Sequence, residues 1–240
     1  MSGAALRVEA RPPAAAGRYP GTMSLDDDLR RVKEKMAALP SHRDSEGRPP
    51  SDPVAWRPPA PEAAVAAWEA EHGVALPADY RAFITRVAGS GDWPHCGLIG
   101  LDAADWDKTD TPDPAVPFPF SPASPLTPAD ETAYRGALRR GEADRGWIPL
   151  CTEGCGMDTV LVVTAVDPGT AGTVWYVDVA HDCGVLPMVH PATGAPLRFL
   201  EWFELCLDVQ AAGEEEPCGS DLVPPRVPPV VTRMAAGRTV

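Results

Sequence analysis

Apolar residues recur at helical spacing in five stretches of the chain and at strand spacing in five more. The first helical stretch is SLDDDLRRVKEKMAAL, where Leu25, Leu29, Val32, Met36 and Leu39 share one face. Ser24 is placed to cap it, and Asp26, Asp27 and Asp28 suit the positive end of the helix dipole. PEAAVAAWEAEHG (61–73) follows, with Val65, Trp68 and His72 on one side and Gly73 past the end. LPADYRAFITRV continues with Tyr80, Phe83, Ile84 and Val87 as an inward stripe, and Gly89 or Gly91 is expected to stop it in the left-handed conformation. A fourth helix is expected from Pro128 to Arg140, capped by Thr127 and ended by Gly141, and a fifth over 195–210 with Leu200, Phe203, Cys206 and Leu207 inward.

The strand-like runs are CGLIGL (96–101), WIPLC (147–151), DTVLVVTAV (158–166), GTVWYVDVA (172–180) and GVLPMVH (184–190). DPGTAG (167–172) reads as the turn of an antiparallel hairpin at the sheet centre. These elements predict an α+β domain over 61–210, a central, mostly antiparallel sheet with helices packed on it. Around it the composition predicts a disordered leader (1–22), the amphipathic helix (23–39), a Pro-rich linker (40–60) with Trp56 as a potential anchor, and a disordered tail (211–240). Met23 lies just before the helix cap, so translation is expected to start either there or at Met1.

Charge changes the picture. The chain is −13 overall, and residues 61–210 hold 22 Asp/Glu against eight Lys/Arg, a net of −14. Such a surface repels phosphate backbones and anionic headgroups and favours basic partners. Arginine far outnumbers lysine, and alanine and proline abound, a bias of GC-rich bacterial genomes. No apolar run approaches the ~18 residues a membrane helix requires. The first residues lack a secretory h-region, so a cytoplasmic location is expected.

Candidate chemistry is sparse. No nucleophile elbow, phosphate loop, HExxH or dinucleotide fingerprint occurs, so no catalytic residue and no cofactor is assigned. Cys151, Cys155, His181 and Cys183, with His95 and Cys96, are of the types that bind zinc, but CTEGC lacks the CxxC spacing and has no second pair; ordinary reduced thiols are the preferred reading. Recognition candidates are Asp102, Asp105, Asp107, Asp110 and Asp113, acids on a loop, with Trp106 among them. Trp147 and Trp175 are weaker candidates, because alternating strand tryptophans belong more often in a core.

Five motifs in order, LPADYRAFI (76–84), GLIGL (97–101), WIPLCTEGCGMDTVLVV (147–163), GTVWYVDV (172–179) and FLEWFELCL (199–207), resemble the landmarks of the SUKH superfamily, the Smi/Knr-type group. The similarity covers about residues 56–209, and the cysteine-containing turn is closest to actinobacterial members. The resemblance implies an α+β binding module, of a kind that in bacteria includes immunity proteins against toxins. Its hallmark positions would be Leu76, Pro77, Tyr80, Phe83, Gly97, Gly156, Gly172 and Trp175. The chain departs from the pattern at Ala88-Gly89, where relatives often have Asn-Gly, and at Gly156-Met157-Asp158, where many have Gly-Asp. The expected function is therefore non-enzymatic binding of a protein partner, a basic toxin domain, with a regulatory scaffold of the Smi/Knr type and a zinc- or thiol-dependent protein as alternatives. Neither nucleic acid nor membrane is expected as a partner.

Overall fold

The computed structural model describes residues 24–39, 54–101, 112–181, 183–213 and 219–224. Its centre is a four-stranded antiparallel sheet in the order β3(Trp147–Gly154), β4(Met157–Val162), β5(Val174–Asp178) and β6(Gly184–Pro187). The hairpin expected at 158–180 is present: β4 and β5 are the two inner strands, paired from Met157↔Asp178 to Leu161↔Val174. Asp167 closes its turn by accepting from the Gly169 N–H (3.0 Å) and the Thr170 hydroxyl (3.3 Å).

Alternation along β4 and β5 sends side chains to opposite faces. Ile148, Leu161, Val163, Val174, Tyr176 and Met188 belong to one apolar cluster, which also holds the buried residues of the helices. Trp147, Val160, Val162, Trp175, Val177 and Val185 belong to the other, with Phe118, Phe120, Leu126, Tyr134 and Ala137. Every residue of β5 is buried. The sheet is thus covered on both faces. Helices pack on one, and the Pro-rich segment from Pro117 to Leu126 with α4(Glu131–Arg139) covers the other. α4 is capped by Asp130, whose carboxylate accepts from the Ala133 N–H at 3.0 Å, in place of the expected Thr127.

On the helical face lie α1(Leu25–Ala38), α2(Glu62–His72), α3(Ala78–Arg86) and α5(Phe199–Ala211). α2 ends at Gly73 in the left-handed conformation. α3 buries Tyr80, Phe83 and Ile84, and Tyr80 and Phe83 meet Phe199 edge-on with centroids at 4.9 and 5.1 Å. Asp79 draws the starts of α3 and α5 together by accepting from the Leu200 N–H (3.4 Å). Burial pushes its carboxyl up, against the opposing pull of the Tyr80 and Leu200 N–H groups.

Three local expectations are corrected. α3 ends at Val87 with φ −119, and neither Gly89 nor Gly91 is left-handed. Their role is close approach: β1(Trp56–Arg57) pairs with β2(Ser90–Gly91), and a Cβ on Gly91 would clash with the edge of the Trp56 ring. Trp56 packs edge-on against Trp93 and Phe203 at 6.3 and 5.9 Å, so the stretch read as linker contributes to the core. Residues 96–101 form turns with a single bridge, Gly91↔Leu98, because His95 (φ 50) and Gly97 (φ 111) break the extended backbone. The stretch read as tail is also partly placed. Gly219 donates its N–H to Glu153 (2.6 Å), Leu222 is buried, and the Leu222 carbonyl accepts from the Val189 N–H (2.7 Å).

α1 is likewise no detached element. Leu29 and Val32 are buried at 2% and 0% exposure, each worth ~1.5–3 kcal/mol of transfer free energy. The Arg31 guanidinium meets Glu204 at 2.5 Å and Asp28 at 2.9 Å, and the Lys35 ammonium reaches Glu204 (2.7 Å) and Asp208 (2.5 Å).

Both outer strands are met by other segments. On the β3 side, Ile99 donates to the Leu150 carbonyl (2.7 Å) and Cys96 to that of Thr152 (3.3 Å). On the β6 side, Leu126 and Val185 exchange two backbone bonds at 3.1 and 2.9 Å.

Two predictions follow from this packing. Gly146 has φ +77, and a Cβ there would lie 2.5 Å from the Thr164 carbonyl oxygen and closer still to the Phe118 nitrogen. Gly146→Ala is expected to destabilise by about 2–4 kcal/mol in urea denaturation; a loss under ~0.5 kcal/mol, the range of an ordinary surface change, would contradict the geometry. The second concerns Glu204, whose carboxyl Arg31 holds below its ordinary value. A depressed folded pKa gives stability that is complete above the unfolded carboxylate value of about 4.3 and is lost as pH falls through the folded one. Asp79 and Asp158, raised by burial, have the opposite sign and lose nothing on protonation. Below about pH 4, hydrogen exchange corrected for intrinsic rate should therefore rise over 25–38 before it rises in β4 and β5; equal protection of both would refute it.

Candidate functional site

The acidic stretch of the sequence falls between Leu101 and Pro112. Asp102, Asp105, Trp106, Asp107 and Asp110 lie outside the described residues. The segments that flank it are both tied to β3 or the residue before it. Ile99 bonds to Leu150, in β3, while the Asp113 carbonyl accepts from Gly146 (2.9 Å), the residue before β3 begins. Asp113 itself is exposed, and its carboxylate accepts from the Ala115 N–H at 2.9 Å. One predicted acid is therefore seen, at the rim of the sheet.

Beside the first of these segments opens a groove of about 460 Å³, walled among others by Arg57, Pro58, Pro61, Ile84, Ser90 and Gly100. Its walls are brought together by backbone approach. A Cβ on Gly89 would stand 2.9 Å from the Pro58 carbonyl oxygen, and one on Gly100 2.9 Å from the Gly89 carbonyl oxygen. Three prolines make the wall rigid and apolar, and Arg57 and Ser90 supply polar groups. Such a groove can hold an apolar side chain or a short extended segment.

Trp175 is not at a surface. It is fully buried, meets Phe118 edge-on at 4.9 Å and donates its indole N–H to Thr173 at 2.8 Å. This corrects its assignment as a binding residue: β5 is covered on both faces, so alternation brings none of its side chains to water. Trp147 is also buried, with its N–H on the Ala143 carbonyl (2.7 Å).

The remaining hallmark positions are architectural. Leu76, Tyr80 and Phe83 are core residues, and Pro77 starts α3. Pro77 also meets the turn of the central hairpin: a Cβ on Gly172 would lie 3.6 Å from its Cβ and 2.8 Å from the Arg198 guanidinium. Gly97 and Gly156 have φ of 111 and 77.

The thiols and imidazoles spread over one end of the sheet. Cys151 is buried in the core, Cys155 is exposed at the β3–β4 turn with φ 55, and Cys183 is half-buried. His181 is held by Asp178, whose carboxylate takes its backbone N–H (2.9 Å) and lies 3.0 Å from Nδ1. His95 lies 3.7 Å from Glu153. Among the described residues no group of three or more His, Cys, Asp or Glu is arranged to hold a metal ion. No helix among them is long and apolar enough to cross a membrane.

Two features escaped the sequence reading. The groove is built from backbone approaches, which leave no mark beyond scattered Gly and Pro. The α1–α5 contact did leave one: cations at 31 and 35 and acids at 204 and 208 each sit one turn apart.

No curated protein and no solved structure matches the chain. One family does, the SMI1 / KNR4 family (SUKH-1), over residues 59–189. That span takes in α2, α3, the acidic stretch, α4 and all four strands of the central sheet, and covers more than half of the chain. The chain belongs to the SMI1 / KNR4 (SUKH-1) family.

Proposed function

We propose that this chain is a non-enzymatic protein-binding module of the immunity type, which docks through its acidic surface on a basic toxin domain and covers that domain's active site. One observation carries the reading. Residues 61–210 have a net charge of −14, and Arg81, Arg86, Arg135, Arg140 and Arg145 are engaged in ion pairs within the fold. The domain keeps its surplus of carboxylates once these cations are paired. Asp102, Asp105, Asp107, Asp110 and Asp113 would supply the field that steers a cationic partner, and Trp106 the anchor that slows its departure. The adjoining groove would receive an apolar group from the same partner.

Mixed with the purified product of the adjacent reading frame, the chain should bind by calorimetry and restore growth when the two are co-expressed. Affinity should fall at least tenfold between 50 and 500 mM salt. Changing Asp102, Asp105, Asp107 and Asp110 together to Asn should slow association far more than it speeds dissociation. Trp106→Ala should do the reverse. Absence of binding and of rescue, or an affinity indifferent to salt, would rule the proposal out.

A further inference from the structure

The groove that Arg57, Ala64 and Ser90 share combines one polar pair with an otherwise apolar lining. Arg57 and Ser90 stand opposite each other in β1 and β2. Alternation therefore puts both side chains on the face away from Trp56, which packs on the core. Both line the groove, and Arg57 is the one charged residue that does. Arg57 is exposed and Ser90 half-buried, and among the described residues neither side chain is engaged in a hydrogen bond or ion pair. A Cβ on Gly100 would stand 3.3 Å from that of Ser90, so the glycine keeps the space beside the hydroxyl clear. Glu62 and Glu69 of α2 are taken by Arg81. A guanidinium is thus left without a carboxylate beside a domain of net charge −14.

The backbone of the groove offers little to a ligand. Pro58, Pro59 and Pro61 have no N–H. Ala60 donates to Ile84 (2.8 Å), Ala64 and Val65 donate to Pro61 (2.9 and 3.1 Å), and Gly89 donates to Arg57 and Pro58 (3.2 Å each). A foreign strand finds few ladder partners here, so a ligand must be held by the polar pair and by apolar contact. A guanidinium beside a hydroxyl suits a carboxylate, which can accept two N–H groups from the first and the O–H of the second. We propose that the groove is a site for the C-terminal end of a partner polypeptide, with an apolar last residue against Pro58, Pro61 and Ala64 and its free carboxylate on Arg57 and Ser90. A chain end carries both groups on a single Cα, which matches a cavity of about 460 Å³ with a single cation. An internal acidic residue would instead have to lead its chain past prolines that give it nothing to bond. The acidic surface attracts cations, whereas this site selects an anion; it goes beyond the docking proposed above and does not rest on it.

The test titrates the full chain with fluorescein-labelled Gly/Ala peptides ending in Leu, Val or Phe, each as the free acid and as the C-terminal amide. At least one acid should bind roughly tenfold more tightly than its amide and should shift the Ser90, Gly100 and Leu101 amide resonances. Arg57→Gln should weaken that acid roughly tenfold and Ser90→Ala roughly threefold. Both variants should keep the wild-type melting temperature, since neither side chain is bonded within the fold. Ala64→Phe, which fills the groove from the exposed side of α2, should abolish binding. Equal binding of acid and amide would overturn the proposal, as would an affinity unmoved by Arg57→Gln or a failure of every peptide to bind. N-acetyl-leucine binding as tightly as the peptides would overturn it too, because the ligand would then be a small acid and not a chain end. So would tighter peptide binding after Asp102, Asp105 and Asp107 are changed to Asn, which would make the chain's own acidic stretch the occupant. A dimer that dissociates on Arg57→Gln would assign the groove to a second copy and would equally overturn it.

Discussion

The two inner strands of the sheet are buried on both faces over all of β5 and over β4 from Thr159 to Val162. Val174, Trp175, Tyr176, Val177 and Asp178 are all buried, and beside them Val160, Leu161 and Val162 are fully buried as well. Residues that alternate across a sheet must then find apolar cover on both sides, and the rest of the molecule is arranged to give it. α3 and α5 supply aromatic rings on one side, and Phe118, Phe120 and Tyr134 supply them on the other. The turn joining the two strands is tied back into this core. Thr173 donates its hydroxyl to the Thr170 carbonyl at 2.6 Å while accepting the Trp175 indole N–H, so a buried tryptophan is anchored to the turn that sets the hairpin register.

Periodicity sufficed for the local elements, because helical and strand spacing follow from side-chain direction alone. α2 and α5, with their glycine, proline and acidic punctuation, fall where the apolar stripes put them, and the central hairpin lies where the longest branched runs and an Asp-Pro-Gly turn meet. Burial on both faces was less visible. A segment such as Pro117-Phe118-Pro119-Phe120 has neither period and reads as loop, yet Phe118 pairs with Ala165 and fills the second core. The glycines of Gly89-Ser90-Gly91 were read through their freedom of φ, whereas their use is the absence of a side chain against Pro58 and Trp56. That depends on contacts more than thirty residues apart, which no local pattern encodes. For the site, four of the five acids singled out by composition lie outside the described residues, and Asp113 alone is seen, exposed. The choice of Trp175 failed because residue type alone does not say which strand is central.

Charge is divided by position in this fold. Cations of α1 and α3 pair with carboxylates of neighbouring helices, whereas Arg135 of α4 pairs with Glu131 on its own exposed face. The domain nevertheless keeps a net charge of −14 over residues 61–210. The same composition thereby holds accessory elements in position and leaves a field of one sign outside, and each responds to ionic strength in its own way.

The closed sheet margins have a consequence for recognition. Ile99 and Cys96 occupy the outer side of β3, and Leu126 occupies the four-residue β6. Many small β-containing modules capture targets by letting a foreign strand continue the ladder, a mode that gives affinity through main-chain groups and so tolerates many sequences. With both margins taken, lengthening of the ladder by a foreign strand is blocked, and what the fold leaves open to its surroundings is the side chains on turns and helices, which can vary without touching the hairpin at its centre.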